Sequence, residues 1–158
     1  MRWYVGSDHG GVVLRDHLVE TLRGDGHEVV AVDGPTESGE SVDYPDVAVE
    51  VCRRVVADEG SAALLVCGTG QGMAMSANRV PGIRAALVTD VFCARMAREH
   101  NNANVLCMGQ RVLGPGLAAD LLQAFAGATF EGGRHARRVG KLEAIATGEG
   151  VPPPTGRS

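Results

Sequence analysis

A thiol, a carboxylate, a histidine and a glycine-rich loop stand at the ends of short apolar runs in this sequence. One run ends in Cys67, followed by Gly68-Thr69-Gly70-Gln71-Gly72, and the first run ends in Asp8-His9. Alternating glycines expose backbone N–H groups to an anion, and a helix start beside them strengthens that effect. A cysteine facing a helix start is favoured as a thiolate. Cys67 is therefore a candidate nucleophile or proton-abstracting base.

Other interpretations of these motifs stay open. A P-loop is excluded, because no Gly-Lys-Ser/Thr follows the glycines. A dinucleotide fingerprint needs a small third residue, where this sequence has Met73 or Met75. The loop can also be a plain tight turn, Cys67 a structural cysteine, and Asp8-His9 a strand-end cap.

Two further candidates lie in the second half of the chain. His100 follows a predicted helix in Glu99-His100-Asn101-Asn102, where His and Asn are also ordinary helix caps. On a helix, Arg134 and Arg138 are i,i+4 neighbours and share a face. Two such guanidinium groups can clamp a phosphate, and a solvated charged face is the alternative.

Alternating strands and helices must position these residues. The predicted strands are Trp3 to Ser7, Glu28 to Asp33, Ala62 to Cys67, Ile83 to Thr89 and Asn104 to Met108. The predicted helices are Gly11 to Arg23, Pro45 to Ala57, Gly72 to Asn78, Asp90 to Glu99 and Leu117 to Ala126. Strict alternation predicts an α/β fold, a three-layer, doubly wound (Rossmann-like) parallel sheet with helices on both faces. Carboxyl ends of parallel strands meet at one edge, so Asp8, His9 and Cys67 are expected together.

Several local features of these elements are also predicted. The first helix carries an apolar stripe, with Arg15 on the opposite, exposed face and Gly24 as its C-cap glycine. The fourth strand, continuously apolar from Ala85 to Val88, is expected to be covered on both faces. After Gly127, the segment Phe130 to Thr147 contains a further short helical pattern, a C-terminal extension of the fold.

Length and composition limit the class of protein. The 158 residues predict a single domain over residues 1–147, followed by a Pro/Gly-rich tail, residues 148–158, that we expect to be disordered. The net charge of −4 gives no reason to expect nucleic acid or an anionic membrane as a partner. No apolar run is long enough to span a bilayer and no signal peptide is recognisable, so a cytoplasmic location is expected. Cys52, Cys93 and Cys107 are expected to be reduced, buried hydrophobic residues.

Taken together, the motifs resemble the type B ribose-5-phosphate isomerases, a family that includes galactose-6-phosphate isomerase subunits. The matching segments run in order from residue 2 to about residue 146, and the ordered set is highly specific. They are Gly6-Ser7-Asp8-His9-Gly10-Gly11, Asp43-Tyr44-Pro45, Cys67-Gly68-Thr69-Gly70-Gln71-Gly72, Ser76-Ala77-Asn78-Arg79, Gly82-Ile83-Arg84-Ala85, Arg98-Glu99-His100-Asn101-Asn102, Gly109-Gln110-Arg111 and Gly132-Gly133-Arg134-His135.

The resemblance implies a five-stranded Rossmann-like enzyme that needs no metal and no organic cofactor. It implies an aldose–ketose isomerase that works through an enediolate, with Cys67 as the base between C1 and C2 of the open-chain sugar phosphate. Thr69 would bind the substrate hydroxyl or carbonyl, and His100 with Asp8 would open the sugar ring. The other implied roles are the enediolate anion hole (Gly68, Gly70, Gln71, Gly72), phosphate binding (His9, Arg111, Arg134, Arg138) and hydroxyl contacts (Tyr44, Asn101). One subgroup uses a Glu where this chain has Met73, so the chain resembles the cysteine-using subgroup.

The resemblance also implies a homodimer or a dimer of dimers. His100 ends its helix and is therefore expected at the amino edge of its own sheet, opposite Cys67. We thus expect active sites shared between subunits, with His100, and by the same argument the Arg134 cluster, acting in the partner's site. Ribose 5-phosphate is the substrate expected for the family. The alternatives are allose 6-phosphate, galactose 6-phosphate, a tetrose phosphate, or a non-catalytic sugar-phosphate-binding protein.

Overall fold

A wholly parallel sheet of five strands forms the centre of the computed structural model, which describes residues 1–37 and 39–150. The strands are β1 (Arg2–Ser7), β2 (Glu28–Asp33), β3 (Ala62–Cys67), β4 (Ala85–Leu87) and β5 (Val105–Gly109). Their order across the sheet is β2-β1-β3-β5-β4, and every neighbouring pair is parallel. The predicted doubly wound α/β fold is confirmed.

Helices cover both faces of this sheet and give the fold three layers. They are α1 (Val12–Gly24), α2 (Tyr44–Ala57), α3 (Gln71–Ala77), α4 (Val91–Glu99), α5 (Pro115–Gly127) and α6 (Arg134–Ala146). Buried residues of α1, α4 and α5 pack in one core cluster, whereas those of α2 and α3 pack in the other. Side chains of β3 alternate between the two clusters, which explains why all six of its residues are buried. The helical extension expected at the C-terminus is α6.

The strand order reverses beside β1, and that reversal places the site. The chain passes from β1 to β2 on one side, and β3 lies on the other side of β1. Loops that leave the carboxyl ends of β1 and β3 therefore diverge and open a crevice, the usual ligand position in doubly wound sheets. Ser7 at the end of β1 is paired with Val66, the residue before Cys67. Asp8 and Cys67 thus leave the sheet at adjacent points.

Helix starts follow the sequence signals closely. Pro45 lies in the first turn of α2, where its missing N–H costs nothing. Asp90 caps α4, since its Oδ1 accepts the backbone N–H of Cys93 at 2.8 Å. Hydrogen bonds from Cys93, the backbone N–H first, and from the Phe92 N–H hold the pKa of the Asp90 carboxyl below its usual range.

Arg15 is buried in the structure, so the expectation that it lies on an exposed face is wrong. Its guanidinium Nη1 donates to Ser7 Oγ at 3.1 Å and to the carbonyl of Pro35 at 2.7 Å, while its Nε contacts Asp16 at 2.8 Å. These bonds compensate the buried charge. They also tie the loop after β2 to the end of β1.

Two smaller expectations are corrected. β4 has three residues rather than seven and is an edge strand with Leu87 exposed, because only β5 pairs with it. The left-handed residue after α1 is Gly26, with φ of 80°, while Gly24 is still helical. In the predicted tail, the Glu149 N–H donates to the Ala144 carbonyl of α6 at 3.0 Å. The rest of the predicted disordered tail, residues 151–158, lies outside the described residues.

Among residues 1–37 and 39–150, the helices are all too short or too polar to cross a membrane.

Candidate active site

Two loops meet at the carboxyl edge between β1 and β3. The Asp8 N–H donates to the Val66 carbonyl at 3.3 Å, and Asp8 Oδ1 accepts the Gly10 N–H at 2.8 Å. A Cβ added to Gly10 would lie 3.2 Å from both Asp8 Oδ1 and the Gly68 nitrogen. The loop after β1, which contains Asp8, therefore lies against the glycine loop after β3.

The Cys67 thiol points into the α2/α3 side of this edge and is 5% exposed. Its Sγ accepts the backbone N–H of Gly70 at 3.1 Å. An N–H directed at sulfur stabilises negative charge there, which is what a thiolate base requires. Met73, at the position where the other subgroup has its Glu, is fully buried in the same cluster.

Glycine is required at position 70 of this loop. Gly70 has φ of 79°, and a Cβ there would lie 2.5 Å from Leu87 Cδ1 and 2.9 Å from the Met108 carbonyl carbon. The left-handed turn carries the chain from Cys67 into α3, which begins at Gln71. Thr69 is exposed at the tip, and its Oγ1 accepts the Gln71 N–H at 3.4 Å. The N–H of Gly70 is thus already bonded to Cys67, and that of Gln71 to Thr69. Substrate oxygens would therefore bind the other N–H groups of the loop.

Tyr44 and Arg111 border the same edge. The Tyr44 ring, on the first residue of α2, lies 2.7 Å from where a Cβ on Gly72 would be. The Arg111 side chain lies 3.5 Å from the corresponding position on Gly68, and its backbone N–H donates to the Gly68 carbonyl at 2.9 Å. Arg111 is exposed, so its charge is free to meet an anion from solvent.

His9 completes this edge. Its Nδ1 is buried and has no hydrogen-bond partner within the part of the chain that the structure describes. A buried imidazole nitrogen without a partner is costly and is expected to gain one when a polar ligand binds.

His100, Asn101, Arg134 and Arg138 form a second cluster elsewhere in the subunit. His100 is the C-cap of α4, and its ring stacks on that of His135 with centroids 4.1 Å apart and planes at 9°. Arg134 Nε donates to His135 Nε2 at 3.3 Å. Glu131 lies beside the stacked rings, with Oε2 3.8 Å from His100 Nε2 and 3.5 Å from His135 Nε2.

Burial lowers the pKa of His135, and the nearby charges of His100 and Arg134 lower it further. Arg138, one helical turn after Arg134, is exposed and acts in the same direction. Arg134 and Arg138 give the cluster its positive charge, beside the carboxylate of Glu131. Such a pair of guanidinium groups suits a phosphate group.

This second cluster lies towards the amino edge of the sheet. Arg84, directly before β4, donates through Nε to the Asn102 carbonyl at 2.8 Å. Ala63, near the start of β3, donates to the Asn104 carbonyl at 2.9 Å. Cys67 is at the opposite end of β3, roughly 15 Å away for a strand of that length. One subunit thus brings Asp8, His9, Tyr44, Cys67, the glycine loop and Arg111 together, and it does not bring His100 or the Arg134 cluster to them.

The structure corrects one expectation about the cysteines. Cys93 is exposed near the start of α4 rather than buried, and its hydrogen bond to Asp90 raises the pKa of its thiol. Cys52 and Cys107 are buried as predicted, and burial raises the pKa of Cys52 to about 12 and that of Cys107 well above its usual value.

The atoms of His100, Glu131 and His135 that could ligate a metal all lie within 4.8 Å of one another. The arrangement suits a cation poorly, however. The Arg134 N–H already occupies the Nε2 lone pair of His135, and the stacked rings direct their nitrogens side by side rather than toward one point.

Three residues that shape these clusters had no role predicted from the sequence: Gln110, Glu131 and His135. Gln110 accepts the Leu14 N–H through Oε1 at 2.9 Å and so fixes the start of α1 beside the site. Glu131 and His135 hold the ring of His100. The contact of Gln110 with Leu14 spans 96 residues, and Glu131 lies before α6 rather than on it, so neither contact left a local signal in the sequence.

Comparison with known proteins shows which family the chain belongs to. The model of the Ribose/Galactose Isomerase family matches residues 4–142. The chain is 41% identical over 140 residues to ribose-5-phosphate isomerase B of Escherichia coli (strain K12), covering 89% of this chain and 93% of that protein. It is 39% identical over 139 residues to D-erythrulose-4-phosphate isomerase of Pectobacterium atrosepticum, covering 87% and 90%.

A solved structure of ribose-5-phosphate isomerase B from Clostridium thermocellum superposes with a TM-score of 0.90 at 45% identity, covering 95% of this chain and all of that one. Fold and site thus define an α/β enzyme of the sugar-isomerase class. The chain belongs to the ribose/galactose isomerase family, and it is a sugar-phosphate isomerase.

Proposed function

We propose that the enzyme interconverts ribose 5-phosphate and ribulose 5-phosphate through an enediolate, with Cys67 as the proton-transfer base. The observation that carries the proposal is the contact of Cys67 Sγ with the Gly70 N–H at 3.1 Å, beside Asp8 and at the switch point of the sheet. The activities for which the Escherichia coli relative and the Clostridium thermocellum structure are named favour ribose 5-phosphate over other sugars.

Ring opening comes first, since an aldopentose 5-phosphate is mostly a furanose. His100 donates a proton to the ring oxygen and Asp8 accepts the proton of the O1 hydroxyl, so the C1–O4 bond breaks as the C1 carbonyl forms. Asp8 is 7% exposed and well placed beside the glycine loop.

Proton transfer between carbons follows. The Cys67 thiolate removes the proton from C2, the electron pair moves to O1, and the enediolate forms. The free N–H groups of the loop and the Thr69 hydroxyl face the developing charge. Cys67 then returns the proton to C1, while the hydroxyl proton moves from O2 to O1, giving the ketose. No oxidant and no cofactor enters this balance.

Phosphate is held by side chains from both clusters. His9 and Arg111 lie on the Cys67 edge, whereas Arg134 and Arg138 lie with His100. Tyr44 and Asn101 are exposed and positioned to contact the sugar hydroxyls from the two sides.

The two clusters can serve one substrate only if they come from different chains. A homodimer in which the His100 cluster of one chain meets the Cys67 edge of its partner gives two composite sites. The Glu131 N–H donates to the Glu99 carbonyl at 3.0 Å and links the end of α4 to the start of α6. His100, Arg134 and Arg138 would therefore reach the partner as one unit. We also propose a cytoplasmic location, which fits the four unpaired cysteines.

A different sugar phosphate is the second candidate, and a relative named D-erythrulose-4-phosphate isomerase supports it. A coupled assay of the purified protein with ribose 5-phosphate, allose 6-phosphate, galactose 6-phosphate and erythrulose 4-phosphate decides between them. The proposal expects the highest kcat/KM for ribose 5-phosphate. A higher value for another sugar would replace the substrate. No turnover of any of them, with phosphate binding retained, would favour a sugar-phosphate-binding protein.

A further inference from the structure

Glu131 is attached to the end of α4 at two points. Its backbone N–H donates to the Glu99 carbonyl at 3.0 Å, and its Oε2 lies 3.8 Å from His100 Nε2. The same oxygen lies 3.5 Å from His135 Nε2. One carboxylate therefore faces both stacked imidazoles.

The two imidazoles of the stack are not equivalent. His135 is 6% exposed, and its Nε2 accepts the Arg134 N–H, so that nitrogen carries a lone pair rather than a proton. Burial and the neighbouring cations hold the pKa of His135 below its usual value. His135 is thus the neutral, fixed ring on which His100 packs. His100 is about one-third exposed and is the ring that can meet a substrate.

Among the charged groups around the stack, Glu131 is the carboxylate that lies beside His100 Nε2, at 3.8 Å. Arg134 and Arg138 approach from α6 and are cationic, and Glu99 on α4 is engaged with Arg95. A carboxylate beside an imidazolium orients the ring and stabilises its charged form, as in acid–base pairs of other enzymes.

We propose that Glu131 is a positioning residue that holds the His100 imidazole, as a proton donor, against the face of His135. The inference rests on the ring-opening role of His100 given under the proposed function. It adds the group that orients the His100 ring for its contact with the ring oxygen of the sugar.

The test compares Glu131→Gln and Glu131→Asp in the full-length protein, with Glu20→Gln as the matched control. Glu20 is an exposed glutamate of α1 that pairs with Arg23. Glu131→Gln is expected to lower kcat for ribose 5-phosphate by about tenfold while KM changes less than about twofold, because the proton transfer and not binding is affected. Glu131→Asp should recover part of the loss, and Glu20→Gln should match the wild type.

Two further readouts separate positioning from a merely structural role. Removing the carboxylate should shift the NMR titration of the His135 ring protons to lower pH, because Glu131 acts to raise the pKa of His135. In a His100→Asn background, Glu131→Gln should have no further effect on kcat, since the residue it positions is gone.

Three results would overturn the inference. They are a wild-type kcat in Glu131→Gln, an unchanged His135 titration, and an additive loss in the double variant. A His100→Asn protein with the wild-type kcat would instead refute the ring-opening role in the proposed function, and the His135 titration would still test the contact. The two failures are therefore distinguishable.

Discussion

At the scale of single residues, the four cysteines of this chain differ by environment. Cys67 Sγ accepts a hydrogen bond from the Gly70 N–H. Cys52 and Cys107 are buried, and burial raises the pKa of both thiols. Cys93 is exposed, and its hydrogen bond to Asp90 raises the pKa of its thiol. A thiol with a pKa of about 12, as for Cys52, has a thiolate fraction on the order of 10⁻⁴ near pH 8. Reactivity should therefore separate the four positions.

We predict that iodoacetamide at pH 7.5 modifies Cys67 fastest, Cys93 more slowly, and Cys52 and Cys107 only after unfolding. Peptide mass spectrometry against time gives the four rates, and the loss of isomerase activity should follow Cys67. A Cys93→Ser protein is the control and should be inactivated at the same rate. Inactivation that disappears in Cys93→Ser would contradict the assignment of Cys67.

Replacing Cys67 by Ala should remove the base while leaving phosphate binding almost intact. A general base contributes about 10²- to 10⁴-fold, so kcat should fall by that factor while KM changes less than about threefold. Cys93→Ser is again the matched control. A Cys67→Ala enzyme that kept one-tenth or more of the wild-type kcat would show that another group moves the proton.

Arg134 should act mainly through the phosphate. A charge-assisted contact contributes roughly 1.5–3 kcal/mol, so Arg134→Ala should raise KM by about 10- to 150-fold, with Arg138→Ala in the same direction. Part of that binding energy can also be expressed in kcat. Arg23→Ala, on the exposed side of α1, serves as the control and should leave KM unchanged. An unchanged KM in both Arg134→Ala and Arg138→Ala would exclude the phosphate clamp.

At the scale of elements, Arg15 links α1, the end of β1 and the loop after β2. Arg15→Met should lose its bonds to Ser7 Oγ and the Pro35 carbonyl and leave both acceptors with unmet hydrogen-bonding capacity. We expect the free energy of unfolding to fall by about 1–3 kcal/mol in urea. Arg23→Met, whose side chain is exposed, should change it by less than about 0.5 kcal/mol. Equal effects of the two substitutions would show that the Arg15 bonds are not stabilising.

Elements buried on both faces were predictable from the sequence, and edge or long-range features were not. The apolar run of β3 and the residues after it identified the carboxyl edge, because continuous burial leaves little choice of register. β4 was predicted too long, since its apolar residues meet a partner strand on one side only. Arg15 was misplaced because its burial depends on carbonyls twenty residues away, and local periodicity contains no such information.

The site itself was predictable only in part. Cys67, Asp8 and the glycine loop are local motifs at strand ends, and their convergence follows from a parallel sheet. Glu131 was not predicted because its contacts are with the end of α4, over thirty residues earlier in the chain. Cys93 was misjudged because the apolar pattern of α4 did not show which side of its first turn is exposed.

At the scale of the whole molecule, the parallel topology places the two clusters of candidate site residues at opposite edges of the sheet. Helices that follow strands run back across the sheet, so a residue that ends a helix lies at the opposite edge from one that ends a strand. Cys67 ends β3 and His100 ends α4. An imidazole cannot span the roughly 15–20 Å between those edges within one chain.

Complementation between inactive variants tests the shared site directly. Cys67→Ala and His100→Asn homodimers should each keep only a small residual activity, because every site lacks one of the two groups. Co-refolding equal amounts gives half heterodimers by random pairing. Each heterodimer has one site with both groups damaged and one with both intact, so roughly a quarter of wild-type activity should return. Mixing Cys67→Ala with Thr69→Ala is the control: both residues lie on the same edge, so every site stays damaged and no activity should return. Native mass spectrometry would establish that heterodimers have formed. If they form and the Cys67→Ala and His100→Asn mixture stays inactive, His100 does not act in the partner's site.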